Sequence, residues 1–252
     1  MGEARVSVGF LYPGHSAEDD YPRAAEMLGD VDLPLVHTRM ESDAHVVEQL
    51  LKWGEADALA DGARDIPDAD VVVWACTSGS FVHGWDGAHR QVAALAEAAG
   101  RPATSTSVAF ARAARALGLR RVAVAATYPP DVAALFTAFM ADAGVEVVQT
   151  IEADILLAGD VGLLGREDVL RLAESGDHAD AEAVLLPDTA LHSVAWLDDL
   201  EKALGKPVLT ANQVSIWEGL RLAGATRPRD GLGKLFRDGF RAEVEQGTAT
   251  RP

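Results

Sequence analysis

The chain has 252 residues, 48% of them hydrophobic and 24% charged, and its 39 acidic residues against 22 Lys and Arg give a net charge of −17. That length buries a large core as one big domain or two small ones, and an acidic field of this size argues against nucleic acid or an anionic membrane as a partner. The single cysteine excludes an internal disulfide, and no apolar run approaches the roughly 18–20 residues needed to span a bilayer.

The first strand-like run, Arg5–Tyr12, follows a start with neither a basic segment nor a long apolar one, so the sequence reads as cytoplasmic. It ends in Tyr12-Pro13-Gly14-His15-Ser16. Leu33–Thr38 is a second strand, and helical periodicity covers Ala44–Ala60. Val71–Ala75 then runs into Cys76-Thr77-Ser78-Gly79-Ser80. Gly87–Ala99 reads as a helix, Ala103–Thr104 as a strand and Val108–Leu117 as a helix. The strand Val122–Ala126 ends in Thr127-Tyr128-Pro129 and precedes the helix Asp131–Ala143. Val145–Ile151 is a strand and Arg166–Ser175 a helix. Ala183–Leu186 ends in Pro187-Asp188-Thr189-Ala190, and the helix Val194–Leu204, the strand Val208–Thr210 and the helix Val214–Ala223 follow. The tail from Arg229 is expected to pack its Leu and Phe positions and to end disordered. Uninterrupted apolar strands between helices predict α/β architecture, with mostly parallel sheets covered by helices on both faces.

Two halves of the chain echo each other. "PATSTSVAFARAARALG" matches "KPVLTANQVSIWEGLRLAG", placing Val108 on Val214 and Thr106 on Asn212. The run into Cys76-Thr77 matches the run into Asp188-Thr189, and "VGFLYPGHS" matches "VAVAATYPPD". Three pairs in the same order predict two pseudo-symmetric lobes. The first would comprise residues 1–102 with 225–252. The second would comprise 103–224, with its strands between Arg121 and Leu209 and with segments crossing between lobes.

In open parallel sheets ligands sit beyond the carboxyl ends of the strands, where helix N-termini present free N–H groups. Cys76 lies at such an end. It is either buried filler, as cysteines often are, or a thiol made easier to ionise by nearby backbone donors. The polar groups of Thr77, Ser78, Ser80, Thr189 and Asn212 suit fixed carboxylate oxygens, although Thr77 and Ser78 also suit a helix cap. His15 is placed to bind a carboxylate or act as an acid/base, or else it is a solvated loop residue. His192, four residues after Asp188, would share a helical face with it. Either histidine would be the base if Cys76 formed an acyl-enzyme in a hydrolysis. His83 and His89 lack a helical ligand spacing, so no metal site is expected.

"CTSGS" after a strand, "ATYPPDVAALFTAFMADAGVEV" in mid-chain and "ANQVSIWEGLRLAG" near the end resemble the maleate cis-trans isomerase group. That group belongs to the Asp/Glu racemase superfamily, alongside the arylmalonate decarboxylases. The resemblance runs from Gly9 to about Phe236. It implies two α/β lobes with the active site in the cleft between them, no cofactor or metal, and a small carboxylate as substrate. Cys76 matches the family's first-lobe cysteine, whose thiolate attacks the double bond; the adduct's single C–C bond rotates before elimination. Tyr128 matches a tyrosine that holds a substrate carboxylate, and Asn212 an amide of the same pocket.

Two departures stand out. The family's early Pro-Ser-x-Asn-Thr loop is here Pro13-Gly14-His15-Ser16-Ala17, which points away from maleate itself. The second-lobe cysteine is replaced by Asp188, which transfers protons but is no soft nucleophile. The expectation is therefore a cofactor-independent isomerase with Cys76 as nucleophile, Asp188 as opposing acid/base, and Ser16, His15, Thr77, Ser78, Tyr128, Thr189 and Asn212 around the substrate. A decarboxylase or other lyase, or a non-catalytic carboxylate binder, is the alternative. A homodimer or higher homo-oligomer is expected on general grounds.

Overall fold

The computed structural model describes residues 5–66 and 68–241. Its first sheet contains β1 (Val6–Pro13), β2 (Val31–Asp32), β3 (Leu35–Thr38), β4 (Val71–Trp74) and β5 (Ala103–Ser105), in the order β2-β1-β4-β5 with β3 also beside β1. The second contains β6 (Arg121–Ala126), β7 (Glu146–Glu152), β8 (Ala183–Leu186) and β9 (Val208–Thr210), in the order β7-β6-β8-β9. Every strand pairing is parallel. The two orders correspond strand for strand, β1 with β6, β4 with β8 and β5 with β9, so Cys76 and Asp188 follow equivalent strands. Four-residue runs such as VVVW and AVLL are buried throughout because helices cover both faces.

The helices lie between the strands: α1 (Asp20–Leu28), α2 (Val47–Trp53), α3 (Ala56–Asp65), α4 (Ser78–Phe81), α5 (Gly84–Ala99), α6 (Thr106–Ala116), α7 (Pro130–Asp142), α8 (Ala158–Val161), α9 (Arg166–Gly176), α10 (Leu197–Leu204) and α11 (Ala211–Leu222). Three stretches depart from the sequence pattern. The expected strand Leu33–Thr38 is divided at Leu33-Pro34; Pro34 has no N–H, and its carbonyl instead accepts the Phe10 N–H at 2.8 Å. The expected helix Ala44–Ala60 starts at Val47 and breaks at Gly54, where a Cβ would meet the Gly79 carbonyl at 2.9 Å. Helix α1 is an addition; Pro22 lies in its first turn, where a missing N–H leaves no helical bond unmade.

Helices α6 and α11 are the matched segments of the internal repeat, and they pack on each other. The Thr106 and Ser215 hydroxyls meet between them at 2.7 Å. Although α11 follows β9 of the second sheet, it packs against β1, β4 and β5 of the first. Gly219 permits this approach, since a Cβ there would sit 3.2 Å from Val73 Cγ2. One hydrophobic core consequently runs through both sheets, with a smaller cluster on the other face of the second. Leu232, Leu235, Phe236 and Phe240 are buried, and Phe240 stacks on Trp217 at 5.6 Å. Residues 242–252, where the sequence suggests a loose end, lie outside the described residues. Among the described residues, no helix is long and apolar enough to cross a membrane.

Candidate active site

The carboxyl ends of β4 and β8 deliver Cys76 and Asp188 into one buried cluster, with 2% and 4% exposure. Cys76 is held by the following α4: the Gly79 N–H donates to Sγ at 3.2 Å, and Ser78 Oγ lies 3.9 Å away. A Cβ at Gly79 would stand only 3.0 Å from Sγ and 3.2 Å from the Trp74 ring, so glycine is what lets the helix start close over the thiol.

The thiol is not easier to ionise, contrary to the expectation from strand-end donors. Burial pushes it from 9.0 up to about 12; Gly79 N–H and the Ser78 hydroxyl pull the other way, and the Asp188 charge adds to the rise. One N–H and one distant hydroxyl do not offset complete desolvation of a thiolate.

Asp188 accepts a short hydrogen bond from the Thr127 hydroxyl on Oδ2 and the Ala190 N–H on Oδ1 at 2.9 Å. His45 Nε2 approaches Oδ2 at 3.9 Å. The His45 ring is 2% exposed and stands edge-on to Tyr128, with centroids 4.8 Å apart. Its Nδ1 meets the Ile155 carbonyl at 3.3 Å, which leaves Nε2 facing the carboxylate.

Tyr128 donates to the Pro187 carbonyl at 2.5 Å, with the hydroxyls of Thr77 and Ser78 beside it. Burial, then the charge of Asp188, then that of Cys76, hold its phenol well above the ordinary range, so it stays a neutral donor. The Thr77 hydroxyl is fully buried and makes no hydrogen bond of good geometry. Its backbone is fixed by the Ser107 hydroxyl, which donates to the Thr77 carbonyl at 2.7 Å. Thr77, Ser78 and Tyr128 are thus grouped as neutral donors around Cys76, of the kind that binds a carboxylate or stabilises an enediolate.

Other residues singled out in the sequence lie elsewhere. Asn212 is buried, but its amide is occupied: Nδ2 donates to Asp20 Oδ2 at 3.0 Å and to the Thr189 carbonyl at 3.3 Å, and Oδ1 accepts from Tyr21 at 3.2 Å. Asp20 also accepts the N–H groups of Ser193 and Val194, and burial still holds its carboxyl above the usual range. Asn212 therefore braces α1 against the Asp188 loop. Thr189 contributes its carbonyl, which also accepts from Tyr12 at 2.9 Å. Ser16 turns its hydroxyl to the Ala158 carbonyl at 3.4 Å. His15 is exposed beside Glu18 and His37, and His192 pairs with Asp19 at 2.7 Å. With these partners, neither histidine serves Cys76 as a base, and the hydrolytic alternative loses its basis.

His45, Thr127 and Tyr12 are the site residues that sequence reasoning missed. Tyr12 and Thr127 lie in loops already marked as strand ends, so the aligned "LYP" and "TYP" triplets carried a signal. His45 carried none, because it falls in what looks like the start of an amphipathic helix. It belongs instead to a strap before α2 that is sewn to the second lobe. There the Ala158 N–H donates to the Asp43 carbonyl at 2.9 Å, the His45 N–H to the Leu156 carbonyl at 2.7 Å, and the Gly159 N–H to Asp43 Oδ2 at 3.2 Å. The structure also gathers His15, Glu18 and His37 where the sequence suggested no metal-ligating cluster.

The chain matches the arylmalonate decarboxylase family model over residues 32–236. It is 32% identical to arylmalonate decarboxylase of Bordetella bronchiseptica over 188 residues, covering 71% of this chain and 77% of that protein. Maleate isomerase of Nocardia farcinica is 27% identical over 184 residues, covering 69% and 72%. Among solved structures, a liganded double mutant of arylmalonate decarboxylase superposes with a TM-score of 0.81 at 26% identity, covering 92% of this chain and 98% of that one. The maleate isomerase Iso from Pseudomonas putida S16 shares the fold with a TM-score of 0.83 at 21% identity, covering 93% and 99%.

Proposed function

Because this chain belongs to the arylmalonate decarboxylase family, we propose that it is a cofactor-independent enzyme that transforms a small carboxylate through an enediolate, with Cys76 and Asp188 working from opposite lobes. The observation that carries this reading is the shared electrostatic environment of the two groups, with the Asp188 charge acting on the thiol. In the isomerase form, Asp188 accepts the Cys76 proton as Sγ bonds to one alkene carbon. The C=C electron pair moves into the carboxylate, where the Thr77, Ser78 and Tyr128 hydroxyls stabilise the enediolate. Rotation about the new single bond, followed by loss of sulfur and return of the proton, completes a cis-trans isomerisation. A structural relative, the maleate cis-trans isomerase of Nocardia farcinica, holds a covalently bound succinylcysteine intermediate. The anionic Asp188 beside neutral donors favours a substrate with one ionised carboxylate over a dianion such as maleate.

A second reading is decarboxylation, favoured by the thiol's ionisation at about 12. A protonated Cys76 is a ready acid for the enediolate left by loss of CO2. Incubation in D2O with unsaturated mono- and dicarboxylates and with arylmalonates separates the two, read by NMR and by intact mass of the protein. Isomerisation gives the trans acid and, in Asp188→Asn, an adduct on Cys76. Decarboxylation gives a deuterated arylacetate and no adduct. Full activity of Cys76→Ala on the identified substrate would sink both.

A further inference from the structure

We propose that His15, Glu18 and His37 form a binding site for a divalent transition-metal ion of the zinc class, outside the Cys76 centre. One potential ligand atom from each residue lies within 4.8 Å of the others. His15 Nδ1 and Glu18 Oε1 are 3.2 Å apart, close to the roughly 3.3 Å separating two ligands that each stand about 2.1 Å from one tetrahedral ion. The imidazoles of His15 and His37 face each other with centroids at 3.9 Å, although both residues are exposed.

Two outer contacts resemble those that orient metal ligands. His37 Nδ1 meets the Gly14 carbonyl at 2.6 Å, which fixes the proton there and leaves Nε2 with a free lone pair. The Ser16 N–H donates to Glu18 Oε2 at 2.6 Å, which holds the carboxylate while its other oxygen faces His15. A cavity of about 300 Å³ opens beside His15 and His37, bounded also by Met40 and Asp43, and gives an ion access and room for water or an exogenous carboxylate as a further ligand. Two imidazoles and one carboxylate suit zinc, cobalt or nickel rather than magnesium or calcium. A bound ion would tie the loop after β1 to the end of β3, next to the strap that carries His45.

Calorimetric titration of the metal-free full chain with Zn2+ tests the site, with Mg2+ as control and Co2+ absorption as a second readout. The expected result is one equivalent of Zn2+, no Mg2+ binding at the same concentrations, and Co2+ d–d bands. His37→Ala and Glu18→Gln should each weaken Zn2+ binding at least ten-fold and abolish those bands while leaving the circular dichroism spectrum unchanged. Absence of Zn2+ binding, or unchanged affinity in both folded variants, overturns the proposal.

Discussion

Tyr12 and Tyr128 occupy matching places at the ends of β1 and β6, yet both hydroxyls donate to a single loop, at the carbonyls on either side of Asp188. The pseudo-symmetry of the sheets is thus broken in favour of the carboxylate. One tyrosine from each lobe fixes the backbone that presents it.

Replacing either tyrosine by Phe leaves a buried carbonyl short of a donor, so each variant should lose about 1–3 kcal/mol of stability in urea unfolding. Their effects on turnover should differ. Tyr128 stands beside the Thr77 and Ser78 hydroxyls, whereas Tyr12 is also bound to the Ala17 N–H at 3.0 Å. Tyr128→Phe should therefore lower kcat markedly, while Tyr12→Phe acts mainly on stability. Equal losses of kcat would contradict this division.

Asp188→Asn removes a charge that raises the Cys76 thiol. The thiol should become easier to ionise, and its alkylation by iodoacetamide at pH 8 should accelerate. Turnover should fall by about 10²–10⁴-fold, the usual contribution of a positioned acid/base. Slower alkylation together with full turnover would show that the two groups are not coupled.

Ionisation of Cys76 at about 12 instead of 9.0 also ties stability to pH. The folded state holds the thiol proton more tightly than the unfolded chain, so stability falls as pH rises from 9 towards 12 and is unaffected below that window. At pH 10.5 the penalty should be about 2 kcal/mol. Cys76→Ala should accordingly lose less stability than the parent between pH 8 and pH 10.5, as measured by urea unfolding. Parallel pH profiles for the two proteins would count against a buried, hard-to-ionise thiol.

The fold was legible because the strands are short apolar runs ending in Gly, Pro or hydroxylated residues, and because the repeat matched three pairs of segments. Asp188 was legible for the same reason, as the counterpart of Cys76. Asn212 shows where such legibility stops. Its place at a helix start marked it as polar and important, but its partners Asp20 and Tyr21 come from α1, which the sequence pattern did not reveal. His45 was hidden because a helical period ran through the strap. The thiol was misjudged because helix-start donors can be seen in sequence, whereas burial depends on both lobes.

The strap before α2 has a bearing on timing. Cys76 and Asp188 are almost sealed, so part of the enclosing chain has to move before anything enters or leaves. The seam between the strap and residues 155–159 rests on a handful of hydrogen bonds, and Val46, Leu156 and Leu157 along it remain exposed. With so little apolar surface holding it shut, it is the section that parts most cheaply. Because His45 rides on it, opening would also withdraw the imidazole from Asp188. The door and the proton machinery share one hinge, so the centre is assembled only while its occupant is shut in.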